Sequence, residues 1–231
     1  MRVLGIDPSL TNTGWVILDD DSSVPTARGL IRSHSKFLFC TRYASLAERI
    51  QSLIDRFEPD FVGIESPVYG ATSSSQMYAL FVYYNEVLYA NRLDTVFFSP
   101  PQVKSYAKTV IDRPKGWKMD KKDMIKAAQV HSTLNSKWND NVADAFWIGV
   151  MARRFWQYQQ GLLEKNDLSD VEAHQFAGEN TPKRGKNAGI TTYTGIIFKE
   201  GDRFFRWGQG EHYGSEEVVK SIEYDEKGKK I

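Results

Sequence analysis

Two short apolar runs in this chain each end on a carboxylate. Residues 2 to 7 read RVLGID and residues 61 to 65 read FVGIE, so Asp7 and Glu65 stand where a buried strand should continue. Brief apolar runs bounded by turn signals are the pattern of strands covered on both faces. An ionised carboxylate ending such a strand is costly unless positive charge sits against it. If the two strands are neighbours, the two acids project close together and repel strongly unless a cation binds.

The remaining segments say what kind of sheet this is. The polar SLTNTG is a hairpin turn, WVILDD a second strand and ARGLIRSHS a third. Residues 42–57 place Leu46, Ile50, Leu53, Ile54 and Phe57 at helical spacing. An aromatic-rich helix follows the FVGIE strand. TVFFSP is a further short strand, ended by Pro100 and Pro101. A helix starts at 102–113 and breaks in RPKGWKMD. Helix resumes in KKDMIKAAQVHSTL, and NDNVADAFWIGVMARRFWQY is a last long helix. Three strands, helix, strand, helix, strand and helices predict a mixed five-stranded α/β sheet with helices on both faces.

Beyond about Glu164 large apolar residues thin out, and Gly, Asn and Pro accumulate. Residues 161–189 read as a linker. Residues 190–231 read as a small extension with a hairpin at Glu200-Gly201-Asp202. Its aromatics (Tyr193, Phe198, Phe204, Phe205, Trp207) suit a small β core, or a nucleic-acid platform with Arg203 and Arg206. Residues 1–160 form the main domain.

Composition narrows the chemistry. The single cysteine, Cys40, excludes an internal disulfide and a cysteine-rich zinc site. No apolar run reaches membrane-spanning length, and no signal-peptide pattern opens the chain, so a cytoplasmic protein with no membrane partner is expected. The net charge of +1 is uninformative, but between Lys104 and Lys126 eight Lys or Arg face three Asp. Such a stripe, apart from an acidic cluster, suits phosphate contact; it also suits a solvated helix face.

Asp140 and Asp144 lie four apart at the start of the last helix, on one face of it. A helix packed at the acidic end of the sheet brings Asp144 to Asp7 and Glu65. Oxygen-only ligands favour Mg²⁺ or Mn²⁺. Two such ions ~4 Å apart can activate a water and stabilise a leaving oxygen.

These segments together resemble a known family. GIDPSLTNTGW resembles the opening of the RuvC family of Holliday junction resolvases, in the ribonuclease H-like superfamily. VGIESP resembles its second acidic strand, PPQVKSYAK and Lys121 before DMIKAA its basic segment, and NDNVADAFWIGV its C-terminal acidic helix. The resemblance runs in order through residues 2 to about 156.

It implies catalytic, metal-binding roles for Asp7, Glu65 and Asp144. The fourth position falls on Asp140, with Asn141 as the alternative. It implies that Lys104 and Lys121 sit near the scissile phosphate, and that the wedge position after Glu65 falls at Val68 or Tyr69. It implies Mg²⁺ or Mn²⁺, two ions per site. The expected product ends are 5′-phosphate and 3′-hydroxyl, from a homodimer that resolves four-way DNA junctions in a bacterial or phage-infected cell. Lys108, Lys115, Trp117, Lys118 and Lys122 join the expected DNA contacts.

Blander readings stand beside these. Asp7 can cap the following turn, Asp140 can be a helix N-cap, and Trp117 can be a core residue instead of a stacking platform. The aromatics Tyr78, Phe81, Tyr84 and Tyr89 pack on the sheet or on a partner subunit. Other functions compatible with the same residues are a broader flap or fork nuclease and a non-catalytic junction-binding protein.

Overall fold

The computed structural model describes residues 1–20, 22–67, 74–111, 116–176, 179–180, 192–193, 196–201, 203–206 and 211–213. For 74, 179–180, 192–193, 203–206 and 211–213 the backbone alone is described. Strands β1 (Arg2–Asp7), β2 (Asn12–Asp19) and β3 (Ala27–Arg32) form an antiparallel meander. Helix α1 (Phe39–Phe57) leads to β4 (Phe61–Glu65), parallel to β1. Helix α2 (Ser74–Ala90) leads to β5 (Asp94–Phe98), parallel to β4. Then come α3 (Pro100–Ala107), α4 (Lys121–Ser132) and α5 (Asp140–Gln159).

Helix α3 starts earlier than its apolar pattern suggests, because Ser99 and Gln102 form a capping box and Pro100 suits the first helical position. It also ends earlier: its last turn tightens into a 3₁₀ turn at Lys108–Val110.

The linker expected at 161–189 is corrected in part. Helix α6 (Asp170–Phe176) lies within it and is packed down. Glu172 accepts from Tyr106 Oη and from Arg154 Nε, both at 2.8 Å, and Phe176 sits 5.7 Å from Phe155, ring to ring. The polar composition concealed this turn because its anchor is a buried carboxylate rather than an apolar stripe.

A short ladder pairs β6 (Glu179–Asn180) with β7 (Thr192–Tyr193). Strands β8 (Ile197–Glu200), β9 (Arg203–Arg206) and β10 (Glu211–Tyr213) add antiparallel to the free edge of β5. The sheet order is β10-β9-β8-β5-β4-β1-β2-β3. The extension thus continues the main sheet beyond the five strands legible in the sequence. Phe198 of β8 packs against Phe61 and Phe155, with centroids 6.1 and 5.7 Å away. Side chains of Tyr193, Phe204 and Phe205, and all of Trp207, lie outside the described residues.

Alternation divides the core into two layers. Leu4, Ile6, Val62 and Ile64 face α1 and α2, while Val3, Val16, Leu18 and Phe61 face α3, α4 and α5. Helix α5 lies unusually close to the sheet. A Cβ on Gly5 would sit 2.3 Å from the Ala145 carbonyl oxygen, and one on Gly14 would sit 2.0 Å from that of Asn141. Glycines on β1 and β2 therefore set the height of α5 over the sheet. Among the described residues, no helix is long and apolar enough to cross a membrane.

Candidate active site

The parallel register places Ile6 of β1 beside Ile64 of β4. The next residues along, Asp7 and Glu65, therefore leave the sheet side by side, on the face covered by α5. Asn139 caps α5, its side chain accepting from the Asn141 N–H at 3.0 Å. Asn141 Nδ2 then donates to the Asn12 carbonyl on β2. With Gly14 giving clearance, the first turn of α5 is pinned to the sheet, and Asp144 comes into the electrostatic reach of Asp7 and Glu65.

The four acids are not equivalent. Burial pushes Asp7 well above the usual carboxylate range, and Glu65, Asp144 and Asp140 push it further. Glu65 is raised to about 8, by burial first and then by the Asp144 charge, with Lys104 opposing. Asp144 is raised to about 6 by burial, with Lys104 again opposing. Asp140 goes the other way: Lys121 Nζ donates to its Oδ2 at 2.5 Å and holds its carboxyl below the usual range. Asp144 Oδ1 is buried with no hydrogen-bond partner.

Asp7 is buried and raised by Glu65 and Asp144, and Glu65 is raised by Asp144, whose Oδ1 is orphaned; together they form a donor set suited to a hard divalent cation. Among the described residues, no three His, Cys, Asp or Glu side chains already stand together as a metal-binding group. Asp140 in particular is turned to Lys121.

Two blander readings are resolved by the hydrogen bonds. The turn after β1 is closed without the Asp7 side chain. Ser9 N–H donates to Thr13 Oγ1 at 3.1 Å, Thr13 Oγ1 donates to the Ser9 carbonyl at 2.8 Å, and Tyr84 Oη lies 2.7 Å from Thr13 Oγ1. The cap of α5 is Asn139 rather than Asp140, whose carboxyl is held by Lys121 and lowered further by the backbone N–H groups of Asp140 and Asn141.

The basic residues divide. Lys104 and Lys121 act electrostatically on the acids. Lys108 Nζ donates to the Trp117 carbonyl at 3.0 Å. Trp117 is half exposed rather than in the core, with its indole N–H donating to Asp123 at 2.8 Å. Lys118 and Lys122 are exposed beside the start of α4. Tyr69 and Lys115 lie outside the described residues.

Sequence reasoning named Asn141 as an alternative site residue and Tyr84 as a packing aromatic, but missed their positioning contacts. Asn141, Thr13 and Tyr84 hold the acidic strand and the acidic helix in place. The Thr13–Tyr84 contact spans 71 positions and leaves no local signal.

The family model described as crossover junction endodeoxyribonuclease RuvC matches residues 3–151. The chain belongs to the RuvC family. A RuvC from Paramagnetospirillum magneticum is 39% identical over 67 residues, which cover 28% of this chain and 40% of that protein. One from Orientia tsutsugamushi (strain Ikeda) is 25% identical over 155 residues, covering 65% of this chain and 96% of that protein. The chain thus spans less than half of some RuvC relatives and nearly all of others. The solved structure of T. thermophilus RuvC in complex with Holliday junction substrate has a TM-score of 0.56 and 16% identity, covering 70% of this chain and 97% of that one. That likeness shows the RuvC fold. The RuvC match takes in all four acids, Lys104 and Lys121, and leaves α6 and β6 to β10 outside it.

Proposed function

We propose that this chain is a divalent-metal-dependent endonuclease that resolves four-way DNA junctions. The observation that carries the reading is the electrostatic coupling of Asp7, Glu65 and Asp144 at one end of the sheet, in a RuvC-family chain, with a buried Asp144 oxygen lacking any hydrogen bond. Asp7, Glu65 and Asp144 would hold Mg²⁺ or Mn²⁺, two ions per site, with Asp140 joining once it leaves Lys121. Ions held there would supply Lewis-acid stabilisation of the phosphate and would polarise an attacking water.

The protein's own groups do the rest. Asp7, fixed on a central strand, anchors the site. Asn141 and Asn139 keep α5 at the height that Asp144 needs. Lys104 and Lys121 put positive charge beside the acids, where it steadies the scissile phosphate and the charge that develops on it. Lys121 also neutralises Asp140 until phosphate draws the ammonium away. Lys108, Trp117, Lys118 and Lys122 extend phosphate and base contacts along the α3–α4 side, and Lys115 and Tyr69 are proposed as further DNA contacts. Hydrolysis would leave 5′-phosphate and 3′-hydroxyl ends.

Symmetric cutting calls for a homodimer. A groove of about 840 Å³ beside α2 supports one: Val82 is 53% exposed and Tyr89 48% exposed along it. Apolar residues grouped in this way favour a self-complementary contact. Soluble action in the cytoplasm fits this reading. One observation favours a second reading, a broader nuclease for flaps and forks: strands β8 and β9 widen the sheet beyond the RuvC match.

The test is a substrate panel. Labelled mobile four-way junction, flap, fork and plain duplex are each incubated with Mg²⁺, Mn²⁺ or EDTA. Paired symmetric nicks confined to the junction support resolution. Equal cutting of flaps and forks supports the broader nuclease. Tight junction binding without cutting under either metal rejects catalysis.

A further inference from the structure

A second charged feature lies outside the four acids. Between the end of β3 and the first half of α1 is a pocket of about 300 Å³. Arg32, Arg42 and Arg49 line it, with His34, Ser33 and Thr41, and no acid lines it. Neither Arg32 nor Arg49 has an ion-pair partner among the described residues. Arg42 is buried and fixed: Nη2 donates to the Leu10 carbonyl at 2.6 Å and Nε to Ser33 Oγ at 3.2 Å.

Three guanidinium groups around one concavity, with no carboxylate in its lining, repel one another unless an anion enters. Arginine forks and hydroxyls are the donors that suit a phosphate. Phe37, 61% exposed, also lines the pocket and offers a face for an unpaired base.

The position ties the pocket to the acids. Leu10, held by Arg42, belongs to the turn that leaves β1 just after Asp7. Strand β3 is two strands away from β1. The pocket opens at the same end of the sheet as the acids, since Arg32 of β3 pairs with Asn12 and Asp7 pairs with Gly14, but on the α1 face rather than the α5 face, so DNA reaching both passes around the edge strand β3.

We propose that this pocket holds a backbone phosphate of the DNA bound at the four acids, where that DNA passes the β3 edge of the sheet. This rests on the DNA-cleaving reading above, and the test separates the two. Binding of a labelled four-way junction is measured in EDTA over a range of salt concentrations, for wild type and for the double variant Arg32→Ala/Arg49→Ala. Matching circular dichroism and thermal transitions establish that the variant is folded. The expected result is about tenfold weaker binding and a salt slope smaller by about one, as for one lost phosphate contact. Unchanged affinity and slope, with wild-type cutting intact, overturn the pocket and leave the nuclease reading standing. If wild type neither binds nor cuts any branched DNA, both readings fall. As a second probe, inorganic phosphate is titrated against the arginine Nε resonances of the full chain. Shifts at Arg32 and Arg49 together with the lost junction affinity support the proposal. Shifts with unchanged junction binding point to a free-phosphate site and overturn the strand contact.

Discussion

Asp7 is electrostatically strained, because it is buried on a strand end within reach of Glu65, Asp144 and Asp140. Neutralising it relieves that strain. Asp7→Asn should therefore raise the thermal midpoint of the metal-free protein by a few degrees, on the scale of ~1–2 kcal/mol. The same change should lower junction cleavage by about two orders of magnitude or more, since it removes a metal ligand. Calorimetry in EDTA beside a cleavage time course checks both; a lower midpoint would mean that Asp7 is a stabilising structural residue. Behind it, Tyr84 Oη meets Thr13 Oγ1 in a buried pair. Tyr84→Phe should cost about 1 kcal/mol, the usual net worth of such a bond, read by urea denaturation. At this scale much of the site was legible. Acids that end apolar strands are anomalies against burial, so Asp7 and Glu65 announce themselves. Asn141 does not: its hydrogen bond to the Asn12 carbonyl depends on the height of α5, which no local pattern encodes.

That height is set at the scale of elements. Helix α5 is admitted by glycines on β1 and β2, where a Cβ would strike its backbone carbonyls. Gly14→Ala should push the first turn of α5 off the sheet, costing about 1–3 kcal/mol as overpacking does, and should slow cleavage far more than Tyr84→Phe. Unaltered stability on denaturation would show that α5 can shift without loss. Helix α6 supplies a pH-dependent contact. The Arg154 guanidinium, the Ser169 N–H and hydroxyl and the Tyr106 hydroxyl hold Glu172 below its ordinary range, against burial, which raises it. A carboxylate depressed in the folded state contributes stability above its unfolded pKa, near ~4.3, and that contribution fades as pH falls through the folded value. Glu172→Gln should therefore be less stable than wild type at pH 7, with the gap closing below about pH 4. A gap that stays constant with pH would exclude the ionised contact. Helix α6 itself was hidden in a polar stretch, because a buried ion network has no hydrophobic period to read.

Across the whole molecule, one main sheet carries the acids at the mouth of β1 and β4 and an added edge at β8. Element order predicted the mixed sheet, since strand–helix alternation is written in apolar spacing. The docking of β8 on β5 was not predictable in this way, because a hairpin sequence specifies its own turn and not the edge it will join. Phe198 sits between Phe61 and Phe155, so Phe198→Ala should cost about 3–5 kcal/mol, and the full chain should then unfold earlier in a single transition. Loss of only a minor, separate transition would mean that the extension folds independently of the core. The most direct measurement on the molecule is Mn²⁺ anomalous diffraction from crystals of the full chain, beside the same crystals of Asp7→Asn. Manganese peaks within ligand distance of Asp7, Glu65 and Asp144, absent in the variant, are the expected result. Peaks elsewhere, or none at any concentration that supports cleavage, would contradict a metal site built from these acids.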